Sequence, residues 1–323
     1  MNRVPWILSL ACCAALAAGC FNVIEPTSPR GAGLQSSMQA SAGPGDRPAV
    51  DLSSPDGGFY PLEIGNRWHY LDDNIVQLIP DQGTAEPPFE DHGSVEVEIA
   101  CSEAVGDRSY TVEHSTYASP IGSAETWVRY RQDRSGLYEL DSDIFTPGAC
   151  AGASAALRSG STSPMSLADR VMAARPDYRL YRSSFEQLER KRAALMTALR
   201  GGARVTAQQA LLQGELTRLQ YPLHAGEQWM IRVDPPFVAT VEGSDVLELP
   251  AGRFKGYRIR IEAPGLFGSN DRVFTWYDRH GALQLLAHLE GQWVDADGNI
   301  LGKLVTDETR KLDELALVGP GRF

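Results

Sequence analysis

One nine-residue pattern occurs twice and constrains the fold more than any other feature. Tyr60-Pro61-Leu62-Glu-Ile-Gly65-Asn-Arg-Trp68 returns 161 residues later as Tyr221-Pro222-Leu223-His-Ala-Gly226-Glu-Gln-Trp229. That offset far exceeds the roughly 20–50 residues of solenoid repeats, so the chain reads as two related units rather than an array. In each copy the proline lacks an N–H and starts an extended segment. Gly65 or Gly226 permits a tight turn with positive φ, and Trp68 or Trp229 opens a strand as a large core anchor. A binding role for the Tyr–Trp pairs is the alternative to these core and turn roles.

Period-two patterns follow each copy. In the first unit Val95-Glu-Val97-Glu-Ile99 alternates cleanly, and Ser109–Val112, Trp127–Tyr130 and Leu137–Leu140 are further candidate strands. In the second, Tyr257–Glu262, Val273–Tyr277 and Leu283–Leu289 do the same. Such alternation predicts antiparallel strands with one wet face and one buried face. Asp297-Gly298, between Gln292–Val294 and Ile300–Leu304, predicts a two-residue hairpin. Residues 146–164 are small and polar and read as loop. Ser183-Ser-Phe185-Glu186 then opens a helix with a capping box, and Phe185, Leu188, Leu195, Met196 and Leu199 share a face. Gly201-Gly202 stops it. Thr206-Ala-Gln-Gln209 starts a second predicted helix, with Leu212, Leu216 and Leu219 on one face before Pro222. The predicted fold is therefore mainly β with a helical insertion: two related antiparallel β units, curved sheets or half-barrels, joined by a helical hairpin.

The N-terminus reads as an export signal. Arg3 precedes an apolar run, Trp6–Ala18, too short to span a membrane, and Gly19-Cys20 ends it. Ala17-Ala18-Gly19-Cys20 resembles the lipobox of bacterial lipoproteins, with the expected leucine one place early at Leu16. The resemblance implies cleavage before Cys20 and acylation of its sulfur and amino group. Two or three acyl chains anchor stably where one does not. Phe21, not Asp, follows Cys20, and by the enteric sorting scheme this favours the outer membrane, facing the periplasm, over the inner membrane. The expected organisation is a signal peptide over 1–19, a tether over 20–56, a first β unit over 57–145, a loop and helical hairpin over 146–218, a second β unit over 219–318 and a tail over 319–323. The tether, rich in Ser, Pro, Gly and Ala, cannot bury enough surface to offset its ordering entropy.

The net charge of −11 becomes −12 once Arg3 leaves with the signal. An acidic chain of this kind is excluded as a nucleic-acid binder, which needs clustered Lys and Arg, and it has no polybasic route to anionic lipid. Of five cysteines, Cys12 and Cys13 leave with the signal and Cys20 is acylated. Cys101 and Cys150 remain, read as one disulfide in an oxidising compartment, with two buried free thiols as the alternative.

Leu249-Pro250-Ala251-Gly252-Arg253-Phe254, then Thr275-Trp276-Tyr277 and Gly281-Ala-Leu283, join the repeated segments in a wider resemblance. With Pro250, Gly252 and Phe254 as the turn motif, the chain resembles a broad group of uncharacterised bacterial envelope proteins and lipoproteins. It departs from them at Asp278-Arg-His280-Gly281, which lacks the usual first glycine. The resemblance implies a β-rich envelope domain of unknown function and supplies no catalytic residues.

Motifs whose chemistry fixes their spacing are missing from the sequence. There is no Gly-x-Ser-x-Gly elbow, His-Glu-x-x-His helix, Ser-x-x-Lys or phosphate-binding Gly-Lys-Ser/Thr loop. His69, His92, His114, His224, His280 and His288 are scattered singly, so no metal site and no cofactor are expected, although His280 and His288 could meet through strand pairing. Asp295-Ala-Asp297-Gly298-Asn299 suits a hairpin better than a calcium loop, and Asp72-Asp73 and Glu90-Asp91-His92 read as solvated loops. The expected function is non-enzymatic: a lipid-anchored binding or interaction module whose partner is an unknown envelope protein. A carrier of an apolar ligand, with the helical hairpin as lid, and a hydrolase whose site converges only in three dimensions are the rivals.

Overall fold

The computed structural model describes residues 60–120, 122–140, 167–200, 215–295 and 297–318. Within them lie twelve strands: β1 (Arg67–Pro80), β2 (Phe89–Val105), β3 (Arg108–Ser119), β4 (Gly122–Asp133), β5 (Gly136–Leu140), β6 (Glu215–Gln220), β7 (Gln228–Arg232), β8 (Phe237–Leu249), β9 (Gly252–Glu262), β10 (Arg272–Asp278), β11 (Gly281–Val294) and β12 (Ile300–Ala316). Between β5 and β6 come helix α1 (Leu167–Ala174), a 3₁₀ turn (Pro176–Tyr181) and helix α2 (Arg182–Arg200).

All twelve strands belong to one sheet, and every paired neighbour is antiparallel. The sheet runs β6 back to β1, crosses to β12 and runs back to β7. This is an up-and-down meander, closed at one junction by its first and last strands, whose register runs from Arg67↔Ala316 to Pro80↔Gly302. The remaining junction, β6 beside β7, is bridged by side chains: Trp229 Nε1 donates to Thr217 O at 3.0 Å, and Gln220 Nε2 to Glu227 Oε1 at 3.3 Å. The result is a nearly closed barrel, an arrangement that leaves few open strand edges.

The two sequence repeats are structural repeats. Gly65 (φ +95°) donates its N–H to Ile99 O at 2.8 Å, and Gly226 (φ +86°) donates to Val241 O at 2.7 Å. The next residues, Asn66 and Glu227, turn back to Glu63 O and His224 O and accept from the N–H groups of Ile99 and Val241. Each copy thus clamps the start of one strand onto the next, with Trp68 or Trp229 buried immediately after. Pairing of β1 with β12 makes the two units halves of one barrel.

Alternation decides which side chains face the lumen. In β1 the buried phase is Trp68, Tyr70, Asp72, Asn74, Val76 and Leu78, and the opposite phase is at least partly exposed. Asp72-Asp73 and Glu90-Asp91-His92 therefore do not lie in loops. They belong to β1 and β2, where Asp72 and Asp91 are buried and Asp73, Glu90 and His92 face outward. Their polarity masked strands whose inner face is itself polar.

The insertion also differs from expectation. Leu216 and Leu219 are buried on strand β6, paired with β5, so the expected boundary at residue 218 falls inside a strand. A leucine spacing of three fits a helix face, but a bulge between Leu137 and Tyr138 lets both leucines bury from a strand. The helix that partners α2 lies upstream, as α1. Thr206–Gln209, Leu212, the signal, the tether, Cys20, Cys150 and the tail lie outside the described residues. The β11–β12 hairpin forms, but over five residues, Asp295–Asn299, because the Asp295 carboxylate accepts the N–H groups of Asp297 (2.9 Å) and Asn299 (2.8 Å) and widens the turn.

Candidate functional site

Helix α2 seats its apolar face on the lumen wall. Leu188 packs over Gly291 of β11, and Phe185, Leu188 and Leu195 are buried. Ser184 fixes the helix start by accepting the Val294 N–H at 2.9 Å. Along the same helix Lys191 donates to Asp271 (2.8 Å) and Glu290 O (2.6 Å), and Arg192 to Glu308 (3.1 Å).

Arg192 opens a buried charge cluster. Arg310 donates to Asp72 at 2.8 Å and to the second oxygen of Glu308 at 3.3 Å, and Asn74 donates to Asp72 at 2.8 Å. Beside it Arg170 of α1 binds Asp91, and Tyr117 donates to the same carboxylate at 2.8 Å. Burying charges is costly unless each is paired and hydrogen-bonded, and here they are. The plug is thus fastened by ion pairs as well as packing.

Next to this cluster the lumen holds a cavity of about 110 Å³. Four phenols reach it: Tyr60, Tyr70, Tyr130 and Tyr277. Burial drives all four pKa values up, and Glu113 contributes to each rise, so they stay neutral. Tyr60 donates to Glu113 at 2.5 Å and Tyr70 to Ala282 O at 2.9 Å. Arg218 enters from β6 with 8% of its surface exposed. Burial opposes its charge, but Glu139, bound through Nε, more than offsets that, and the guanidinium is held protonated. Its Nη1 and Nη2 are buried without a hydrogen-bond partner. The wall combines this guanidinium, a carboxylate and four neutral phenols with aliphatic side chains, among them Val95, Val97, Val128, Leu137 and Leu285, so it can hold a small molecule with both polar and apolar parts.

Of the motif residues the sequence singled out, Tyr60 of the repeat and Thr275 and Tyr277 of the wider resemblance line this cavity. Trp68 supports it from behind, 5.7 Å from Tyr60 between ring centres, with Nε1 donating to His280 O at 2.7 Å. Pro61 accepts from Asn66, Leu62 packs against the core, and Leu223 and Trp229 are buried in it. Tyr221 diverges from Tyr60: its hydroxyl reaches Gln132 at 3.3 Å. Pro250 and Ala251 form the two-residue turn between Leu249 and Gly252 (φ +126°), and Phe254 is buried edge-on against His280. Cys101 lies on β2. His280 sits with Asp278 and His288 with Asp307, at opposite ends of the β11 segment between them. Among the described residues no group of three His, Cys, Asp or Glu could hold a metal ion.

Glu113, Arg218, Glu139 and Arg310 were not singled out by sequence. The usable signal was a charge on the inward phase of a strand, as at Asp72 between Tyr70 and Val76, and it requires the strand to be assigned first.

No protein-family model matches the chain, and no curated protein matches it in sequence. Among solved structures it is similar to a candidate lipoprotein from Parabacteroides distasonis (10% identity, 80% of this chain and 99% of that one, TM-score 0.32). It is also similar to a candidate exported protein with a YmcC-like fold from Bacteroides fragilis (9% identity, 81% and 100%, TM-score 0.29).

Proposed function

We propose that this chain is a non-enzymatic binding module of the bacterial envelope, anchored in the outer membrane through lipid on Cys20 and facing the periplasm, whose barrel lumen takes a small polar ligand. The observation that carries this reading is the plugged lumen with its small cavity, where Arg218, Glu113 and four tyrosines are set among aliphatic side chains. The carboxylates Asp72, Asp91 and Glu308 are each engaged by arginine, which suits holding a ligand better than turning it over. The outer face of the barrel carries ion pairs such as Arg67–Glu98 and Arg260–Glu262. A lipid-facing band would pay heavily for them, so the anchor, not the barrel, meets the membrane. The apolar-carrier alternative is disfavoured because Leu188 and Leu195 of α2 are buried in the core. A Cys101–Cys150 disulfide belongs to the same reading.

Two measurements test it. Metabolic labelling with palmitate should mark the wild type and leave Cys20→Ser unmarked; labelling of both rejects the anchor. Native mass spectrometry of protein purified from the envelope should show a discrete low-mass adduct. An adduct of phospholipid mass would restore the carrier.

A further inference from the structure

We infer that the barrel carries a second site on its outer wall, independent of the lumen: a groove between strands β8–β10 and the loop 263–271 that binds a short, uncharged oligosaccharide.

The groove has a volume of about 590 Å³, inside the roughly 300–1,000 Å³ usual for ligand sites. About 150 Å³ accommodates benzene, so the groove admits about three or four six-membered rings. Alternation builds its floor. Ile259, Ile261 and Val273 are buried, which turns Arg260, Glu262 and Phe274 outward.

The loop that forms its other wall is held in place before any ligand arrives. The Asp271 carboxylate accepts from Gly268 N–H at 2.7 Å, Glu290 N–H at 2.6 Å and Lys191 at 2.8 Å. Phe267 donates its N–H to Ala263 O at 2.8 Å and packs edge-on against Phe237, ring centres 5.9 Å apart. A groove ordered in advance spares a ligand the entropy of ordering it.

The chemistry of the floor selects the ligand. Arg260 lies 3.0 Å from Glu242 and 2.6 Å from Glu262, and Glu242 also lies 2.9 Å from Arg258. Each charge has a partner within the protein, so a charged ligand would displace one ion pair to make another. A guanidinium still has five N–H donors and a carboxylate about four acceptor positions, more than these pairs use. Fixed donors and acceptors side by side match neighbouring hydroxyls, each of which gives and accepts one hydrogen bond. Phe274, 5.8 Å below Arg258 and 6.1 Å from Trp276, sets an apolar ring among them, as the C–H face of a sugar requires. Arg272 at the rim is exposed, where an ion pair with an anion contributes little.

Other ligand classes fit worse. An apolar ligand would strip water from the ion pairs and return no hydrogen bonds. A peptide has no edge on which to add a strand, because β8, β9 and β10 are each paired on both sides.

The test is isothermal titration calorimetry on the full-length protein in detergent, with maltotetraose, cellotetraose, chitotetraose and the anionic tetragalacturonate as probes. At least one of the three uncharged probes should bind, and more tightly than tetragalacturonate. Phe274→Ala should weaken it about three- to tenfold, and Phe274→Trp should retain it. Glu262→Ala, at a half-exposed position, should weaken it about tenfold or more and carries the test if Phe274→Ala does not fold. Tighter binding of tetragalacturonate overturns the uncharged class. Binding unchanged in Glu262→Ala and in folded Phe274→Ala places the sugar elsewhere and overturns the site, as does no binding by any probe.

Discussion

Single residues set the tolerances of this barrel. At Gly302 of β12 an added Cβ would lie 2.1 Å from Ile79 O, so β1 and β12 approach closely only because that side chain is missing. At Gly122, at the start of β4, an added Cβ meets nothing within 4 Å. Gly302→Ala should therefore lower stability by about 1–3 kcal/mol in urea denaturation, while Gly122→Ala should fall within about 0.5 kcal/mol of wild type. His114 gives a pH signature. It stacks on Trp127 with ring centres 3.9 Å apart, and burial lowers its pKa more than Glu125 and Glu98 raise it. A depressed imidazole pKa stabilises the fold fully above the ordinary value of about 6.5 and loses that contribution as pH falls through the folded value. Urea midpoints of wild type should drop on acidification below about pH 6.5, and His114→Phe, which keeps the stack, should flatten that part of the profile. Little of the candidate site was legible at this scale. Tyr60 stood out through the repeat, but Glu113 and Arg218 look like any charge in an acidic chain until the alternation phase is known.

At the scale of elements, apolar alternation was a sound guide wherever one face is wet and the other dry. Val95, Val97 and Ile99 in β2, and Ile259 and Ile261 in β9, are all buried. The signal failed where the lumen is polar, since Asp72 and Asn74 hide the middle of β1. It failed again at Leu216 and Leu219, where a bulged strand imitates a helix face. Helix α2 was readable from the stripe of Phe185, Leu188 and Leu195, all buried, and it acts as the plug. Leu188, fully buried over Gly291, should cost about 2–5 kcal/mol when changed to alanine, read as a shift of the denaturation midpoint with unchanged slope. A change in slope would show instead that the plug detaches as a separate unit.

At the scale of the molecule, the repeat announced two related units, and it could not announce that they complete each other. Nothing local in β1 or β12 encodes their pairing over Arg67↔Ala316 to Pro80↔Gly302. The first unit, residues 57–145, thus carries β1 to β5 without β6, and alone it has bare edges at both β1 and β5. Expressed alone it should show neither a cooperative melt nor dispersed amide resonances, whereas residues 57–318 should show both. A folded fragment would mean that each half has its own sufficient core.

The closure of β1 by β12 also sets a clock on biosynthesis. Partners at the far end of that ladder, Arg67 and Ala316, lie 249 residues apart. At about 5–20 residues per second, a nascent chain carries β1 for some 10–50 s before its second neighbour exists. Throughout that interval one long strand edge stands open to the wrong partner. The length of that exposure is written into the order of the strands, ahead of any property of the finished protein.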